Sequence, residues 1–366
     1  MANVSHAALP ATATPPSRDP HARLGRLTRL LPGLLLCLAV AGVSFGVGRL
    51  VPGLSPLIVA IVLGVLAANV GRLPGATSAG IDFSAKKLLR AGIVLLGLQL
   101  VLSDILDLGA PVLLVVVGIV AGGLLGTVLL GRLLRVPAGL ALLIACGFSI
   151  CGAAAVAGAA GVTDPDDEAE EDTITAVALV VIFGTLMIAL VPLTASLLHL
   201  VPAAAGRWAG GSVHEIAQVV AVGGIIGGGA LAVAVVVKLA RVLLLAPVVA
   251  VLSIRQRRRG RAAAGTVAAP AEAVERRSTR LPPIVPPFVV GFLAMVLLRS
   301  FAPLPAGVVA AGGVAQTWLL AAAMFGLGCG VRVRTLLRVG PRPFALAALS
   351  TLLVAAIAGV GVAVTA

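Results

Sequence analysis

Three residues within long apolar stretches carry a formal charge: Glu215, Lys238 and Arg241. A charge at the centre of a bilayer costs about 2.5–3.5 kcal/mol on insertion scales, so such residues are seldom kept for packing alone. Lys238 and Arg241 are three positions apart and would share one face of a helix. Because Arg offers a planar fork and Lys a mobile point charge, we predict that this pair binds an anion. The alternative is a structural ion pair with Glu215, which would leave one cation in excess.

A polar cluster surrounds Glu215 in the segment "GGSVHEIAQVV", residues 210–220. Ser212 is predicted as the N-cap of a half-helix whose positive dipole end, with the N–H groups of Ser212 to His214, would attract an anion. His214 and Glu215 could take up and release protons, and Gln218 lies one turn from His214. The alternative for His214 is a hydrogen-bonded residue at a helix end. Gln218 replaces the second His of an HExxH zinc motif, so we predict no metal site.

The segment "ACGFSICGAAA", residues 145–155, brings glycines, Ser149 and two cysteines into an apolar run. We predict a broken helix near mid-span, where N–H groups from Ser149 to Gly152 would be free to bind an anion. Helix packing through small residues is an alternative. A serine nucleophile is a poor match, because Ile150 follows Ser149 where intramembrane proteases have glycine. The chain is therefore predicted not to be an enzyme.

The composition places these segments in a membrane. The chain has 366 residues, of which 60% are hydrophobic and 11% are charged, against about 25% charged in soluble domains. The apolar runs are continuous and about 20 residues long, which predicts membrane-spanning helices rather than alternating barrel strands. The net charge of +13 resides mainly in short loops, and with no Tyr and 3% aromatic residues we predict no nucleic-acid binding. The four cysteines are predicted as free thiols.

Eleven apolar segments define an all-α polytopic membrane protein. They lie at about 31–51, 55–71, 86–108, 111–133, 137–160, 173–194, 210–228, 230–254, 284–301, 312–331 and 343–365. Four regions follow: a disordered cytoplasmic tail at 1–28, spans 1 to 8 at 29–254, a basic cytoplasmic linker at 255–283, and spans 9 to 11 at 284–366.

Loop charges predict the orientation of these segments in a bacterial plasma membrane. With a cytoplasmic N-terminus, basic residues such as Lys86, Arg207 and Arg332 fall inside, and the acidic segment "DPDDEAEED" at 164–172 falls outside. This alternation follows the positive-inside rule and places the C-terminus outside.

The sequence also repeats itself at an offset of 231 residues. "SPLIVAIVLGVLAAN" from Ser55 aligns with "PPFVVGFLAMVLLRS" from Pro286, and "LGLQLVLSDILDLG" at 96–109 aligns with "LGCGVRVRTLLRVG" at 327–340. Seven apolar segments separate the starts of the two copies, so the copies are predicted to cross the membrane in opposite directions. Inverted repeats with discontinuous helices are typical of secondary transporters.

Four motifs in order carry a family resemblance: "GIVLLGLQL" at 92–100, "SICGAAAV" at 149–156, "HEIAQVV" at 214–220 and "VVKLARVLLLAP" at 236–247. Together they resemble the sulfate exporter family of bacterial inner-membrane proteins, also called the YeiH family. The family is similar to the cation/proton antiporter and anion transporter group. One position differs, because Ala154 stands where the family usually has serine. The resemblance implies export of sulfate or sulfite.

The sequence thus predicts a secondary transporter of a small inorganic or sulfonated anion. It contains no GxxxxGK[ST] nucleotide site, so an ion gradient, of protons or sodium, would supply the energy. The predicted partners are the anion, the coupling ion and lipid, with no cofactor, and homo-oligomer formation is left open. The alternatives are a sodium- or proton-coupled carrier of organic anions, an intramembrane serine protease, and a membrane scaffold that transports nothing.

Overall fold

The computed structural model describes residues 20–51, 55–71, 73–164, 169–265, 286–332, 334 and 340–365, with the backbone alone at 20–27 and 259–265. Within these ranges the protein is helical and has no strands. Six of the described helices are long and apolar enough to cross a membrane. The predicted all-α, multi-pass membrane class is therefore confirmed.

The described α-helices follow one another with short connections. In chain order they are α1 Pro20–Leu50, α2 Pro56–Val70, α3 Ser78–Phe83, α4 Leu89–Leu96, α5 Leu102–Leu106, α6 Gly109–Leu133, α7 Ala138–Cys146, α8 Ala153–Thr163, α9 Glu170–Leu197, α10 Pro202–Ser212, α11 Ile216–Ile226, α12 Ala230–Leu243, α13 Leu245–Gly265, α14 Pro287–Phe301, α15 Ala306–Gly330 and α16 Pro341–Val364. Short 3₁₀ and π turns at Gly75–Thr77, Ser84–Leu88 and Gly97–Gln99 join α3 and α4 into one helical run, residues 75–99.

The bounds of these helices recur at the offset of 231 residues found in the sequence. α2 corresponds in this way to α14, the run 75–99 to α15, and the end of α6 to the end of α16. Leu100 and Val331, which follow the middle helix of each set, are both extended. Gly109 and Gly340, which precede the last helix, have φ of 78° and 86°. The similarity of local structure thus extends beyond the region in which the sequences align.

Contacts between helices recur at the same offset. A Cβ placed on Gly328 of α15 would meet the carbonyl oxygen of Ile61 in α2, and one on Gly97 would meet the carbonyl oxygen of Phe292 in α14. Ile61 corresponds to Phe292, and Gly97 to Gly328. Each copy therefore packs its first helix against the second helix of the other copy.

The third helices, α6 and α16, pack against each other in the same reciprocal way. A Cβ on Gly122 would lie 3.0 Å from Ile357, and one on Gly126 would meet Leu353. Gly122 corresponds to Leu353 and Gly126 to Ile357, so the two contacts exchange under the offset.

Two pairs of helices double back on themselves instead of continuing in one direction. In the first hairpin, α7–α8, a Cβ on Gly147 would lie 2.7 Å from Val156, and one on Gly139 would lie 3.2 Å from the carboxylate of Asp172. The start of α7 is therefore beside the start of α9. In the second hairpin, α10–α11, a Cβ on Gly228 would lie 2.8 Å from Pro202, so its two ends also meet.

The first hairpin corrects part of the predicted topology. Segment 137–160 was expected to cross the membrane, which would place Lys86 and the acidic segment 164–172 on opposite faces. Lys86 Nζ instead lies 3.7 Å from Glu170 Oε1. The prediction was wrong because apolar length shows that a segment lies in the membrane, but not that it leaves by the other face.

The predicted terminal and linker regions lie partly outside the described residues. α1 begins at Pro20, so the last part of the tail predicted as disordered is helical. α13 continues to Gly265, so the first part of the predicted linker is helical as well. Residues 1–19 and 266–285 lie outside the described ranges.

The close approach of α2 and α15 leads to a packing prediction. A Cβ on Gly64 would meet the carbonyl oxygen of Phe325 and lie 3.0 Å from Gly328 Cα, both backbone atoms that cannot easily move away. Overpacking of this kind costs about 1–3 kcal/mol or more. We expect Gly64→Val to lower the thermal unfolding midpoint of the detergent-purified protein. Gly118→Val on exposed α6 surface is the control, since no atom lies within 4 Å of a Cβ there. Equal midpoints for the two variants would contradict this packing.

Candidate functional site

The first hairpin turns at a five-residue π turn, Gly147–Cys151, followed by Gly152. Gly152 has φ 75° and ψ −137°, a conformation that residues with a side chain rarely adopt. A Cβ on Gly152 would also collide with the side chain of Glu215. Glycine is thus required here both by the backbone and by the close approach of the second hairpin. Residues 147–152 are called the first tip below.

The second hairpin turns through Val213, His214 and Glu215, which are called the second tip. Val213 and Glu215 are extended, with ψ of 144° and 151°. The prediction that Ser212 caps a helix N-terminus was wrong: Ser212 is the last residue of α10, and its hydroxyl donates to the Trp208 carbonyl at 2.7 Å. A hydroxyl at a helix C-terminal end returns to its own preceding turn, as this one does.

Glu215 is the N-cap of α11 and forms a capping box with Gln218. The Glu215 carboxylate accepts from the Gln218 backbone N–H, and the Gln218 side chain accepts from Glu215 N at 3.1 Å. The same carboxylate accepts from Ala153 N, the first residue of α8, at 2.9 Å. One negative charge therefore lies at the N-termini of two half-helices, where the helix dipole is positive.

Lys238 on α12 connects the two tips. Its ammonium group donates to the Ile150 carbonyl of the first tip at 2.8 Å and to the Val213 and His214 carbonyls of the second tip at 2.9 and 2.5 Å. Lysine has three N–H donors, so each is used. The side chain is fully buried.

Arg241 makes the same kind of connection one turn further along α12. It donates to the carbonyls of Phe148 and Ser149 at the first tip, at 3.0 and 3.2 Å. It also donates to the carbonyls of Gly210, Gly211 and Val213 at the C-terminal end of α10, at 3.0, 2.6 and 3.1 Å. The guanidinium is fully buried and its hydrogen bonds go to backbone oxygens.

The two cations therefore stabilise the C-terminal ends of two helices, where the dipole is negative. Among the described residues no ion pair joins Glu215 to Lys238 or Arg241. The alternative drawn from the sequence, an ion pair with Glu215, is thus replaced by charge compensation at the helix ends. The geometry favours this structural role for the cations over direct anion binding, since their donors are already engaged.

The other predicted residues lie close to the tips. His214 Nε2 lies 3.1 Å from Thr351 Oγ1 of α16, and the imidazole packs on the Phe148 ring with centroids 4.4 Å apart. His214 Nδ1 and the Ser149 hydroxyl are buried, without a hydrogen-bond partner among the described residues. The first-tip N–H groups predicted to be free are engaged at two positions, because Gly152 N donates to Gly147 at 2.8 Å and Ala153 N to Glu215. Sequence reasoning missed Thr351, because a threonine in an apolar span gives no distinct signal.

A cavity of about 380 Å³ lies beside α8, on the flank of the first hairpin. It is called the α8 cavity below. Its wall includes α8 residues from Ala157 to Gly161, which lie about 6–12 Å along the helix from the first tip at 1.5 Å per residue. Arg90, Lys86 and Phe288 also line it.

The role of Arg241 leads to a stability prediction. Arg241→Met would leave five buried carbonyl hydrogen bonds without their donor, at a cost of about 3 kcal/mol or more in unfolding free energy. We expect a large drop in the thermal unfolding midpoint, or loss of folded protein. Arg49→Met, at the exposed end of α1, is the matched control and should leave the midpoint unchanged. A stable Arg241→Met protein would show that the tips do not depend on this cation.

Comparisons with known proteins identify the family. Residues 32–347 match a family profile described as "Conserved hypothetical protein 698". A UPF0324 membrane protein of Corynebacterium glutamicum is 57% identical over 353 residues, covering 96% of this chain and 97% of that protein. UPF0324 membrane proteins of Bacteroides thetaiotaomicron and Pseudomonas aeruginosa are 35% and 39% identical, covering 87% and 89% of this chain and 94% and 92% of those proteins. No solved structure matches the chain significantly. The chain therefore belongs to the UPF0324 membrane protein family.

Proposed function

We propose that the protein is a secondary transporter that exports a small anion across the bacterial plasma membrane. The observation that carries this proposal is the meeting of two helical hairpins at Glu215, Lys238 and Arg241, all of them buried. Charges at membrane depth are expensive and mark ion or substrate pathways. Interrupted helices that meet near the midplane are the usual construction of such pathways.

The long helix formed by α12 and α13 supports entry of the hairpins from opposite faces. Residues 230–258 form one candidate span. Its first half packs on α10 and α11, and its second half packs on α8. Gln256 near its end donates to the Thr163 carbonyl at the end of α8, at 3.3 Å. The first hairpin then enters from the face where this span ends, and the second from the face where it begins.

This arrangement gives nine crossings and two re-entrant hairpins in the described residues. Because two of the eleven predicted spans return to their own face, the N-terminus and C-terminus remain on opposite faces. The basic segment "RQRRRGR" follows Ile254, which places the end of α13 in the cytoplasm by the positive-inside rule. The acidic segment 164–172 is then cytoplasmic, and Arg207, on the second hairpin, belongs to the outer half.

The recurring contacts support an inverted repeat. α2 and α14 are separated by five crossings in this topology, an odd number, so they run in opposite directions. The reciprocal packing of α2 on α15 and of α14 on the run 75–99 is what a twofold axis in the membrane plane produces. Such symmetry allows one fold to open to either face in turn, which is the basis of alternating access.

Glu215 is central to the proposed coupling. Its carboxylate occupies the N-termini of α8 and α11, the type of position at which a bound anion is favoured. Protonation of Glu215 weakens its hold on these N–H groups and releases them for a substrate anion. His214, adjacent in the second tip, is the second group proposed to gate or couple this step. Proton movement would in this way be linked to anion movement, while Lys238 and Arg241 fix the tips.

Flux in reconstituted vesicles tests the transport function. Proteoliposomes containing the purified protein should take up labelled sulfate or sulfite faster than empty liposomes when a proton gradient is imposed. A competition series with sulfate, sulfite, taurine and carboxylates ranks the substrates. A scaffold would show no flux above empty liposomes for any of these anions, and that outcome would reject the proposal.

A second experiment addresses the coupling role of Glu215. In Glu215→Gln the amide oxygen can still accept from Ala153 N, so the fold is expected to persist while the titrating group is lost. We expect the pH dependence of flux to flatten in this variant. Asp104→Asn, an exposed carboxylate on α5, should keep the wild-type pH profile. A Glu215→Gln profile identical to wild type would assign coupling to another group.

A further inference from the structure

The α8 cavity contains a cation whose charge is not matched by a neighbouring acid. Among the described residues, no hydrogen bond or ion pair reaches the Arg90 guanidinium, and its recorded contact is the face of the Phe288 ring at 6.0 Å. Arg90 also lines the cavity. An Arg guanidinium has five N–H donors in a fixed fork that matches the oxygen geometry of a carboxylate or sulfonate.

The acidic groups of the cavity are compensated or exposed. Glu170 Oε1 lies 3.7 Å from Lys86 Nζ. Asp164 accepts from Ala169 N at 2.8 Å, and Asp82 is exposed. The carboxylates therefore do not occupy the donor face of Arg90, which remains available for a ligand.

The remaining wall of the cavity is apolar. Ile81, Ile93, Phe288 and Leu327 contribute to it. Sulfate, which is polar over its whole surface, would gain nothing from these groups. A ligand with an oxyanion head and a short carbon body would place its head at Arg90 and its body against Phe288. The volume of about 380 Å³ is within the range of small-molecule sites.

We propose that the α8 cavity is a binding site for a small organic oxyanion, a short sulfonate or carboxylate, with Arg90 as the residue that binds its head group. This inference rests on the proposed transport function and assigns its substrate class. The cavity flanks the first hairpin, so an anion held at Arg90 lies on a path towards Ala153 and Glu215. Gly161 keeps this place open, because a Cβ there would lie 2.9 Å from Arg90 Nη2.

Binding of defined anions to the purified full-length protein tests the site. Ethanesulfonate, propionate and sulfate serve as probes, with calorimetry and thermal shift as readouts, since a ligand that binds only the folded state raises the midpoint. We expect ethanesulfonate or propionate to bind more tightly than sulfate. Arg90→Gln should weaken their binding by about tenfold or more, the effect of losing a charged hydrogen-bond donor. Phe288→Ala should weaken binding of the organic anions while leaving sulfate unaffected.

Lys87→Gln is the matched control, because it removes the same charge from an exposed position on the same helical run. It should bind the probes as wild type does. Folding of each variant is followed by its midpoint without ligand. Equal affinity of Arg90→Gln and wild type would overturn the site, as would tighter binding of sulfate than of both organic anions.

Flux separates failure of the site from failure of the proposed function. If wild-type vesicles transport ethanesulfonate and Arg90→Gln transports it equally well, the site is wrong and the transport function stands. If the wild-type protein binds ethanesulfonate through Arg90 but neither this anion nor sulfate or sulfite moves, the site stands and the transport function is wrong.

Discussion

The structure depends on eight hydrogen bonds from two buried cations to backbone carbonyls. Three come from Lys238 and five from Arg241. A helix that ends inside a membrane protein leaves carbonyls that water cannot reach, and each costs several kcal/mol if unpaired. Both hairpins have this difficulty at their tips, and α12 resolves it for both. The cost of burying Lys238 and Arg241 is offset only where the tips are together.

Glu215 solves the complementary difficulty at the other ends of the interrupted helices. The N-termini of α8 and α11 present N–H groups to the same carboxylate. The four helix ends thus share one anion and two cations, and none of these charges forms an ion pair with another within the described residues. Because helix ends rather than charged partners hold the charges, protonation of one group changes the contacts of two helices. This links a proton to the relative position of the hairpins.

Part of this arrangement could be predicted from the sequence, and part could not. The three charged residues, the Gly-Ser segments at both tips and the offset of 231 residues are all local patterns. Their partners are not local: Glu215 meets Ala153 across 62 residues, and Lys238 meets Ile150 across 88. The prediction that Lys238 and Arg241 bind an anion treated the cations as unpartnered, because the sequence does not show which carbonyls lie near them. Likewise, hydropathy placed residues 137–160 in the membrane but gave no sign that Gly152 turns the chain back.

Sidedness of the hairpin ends is the most direct test of the central claim, that the two hairpins enter from opposite faces and meet at the buried charges. Single cysteines would be introduced at Ala138, Ala169, Ala203 and Leu231, with Cys37, Cys146, Cys151 and Cys329 replaced by alanine. Labelling with a membrane-impermeant maleimide would be compared between intact cells and inverted vesicles. The account predicts that Ala138→Cys and Ala169→Cys react only from the cytoplasmic face, and Ala203→Cys and Leu231→Cys only from the outer face. Reaction of Ala138→Cys and Ala169→Cys from opposite faces would show that the first hairpin is a crossing helix and would contradict the account.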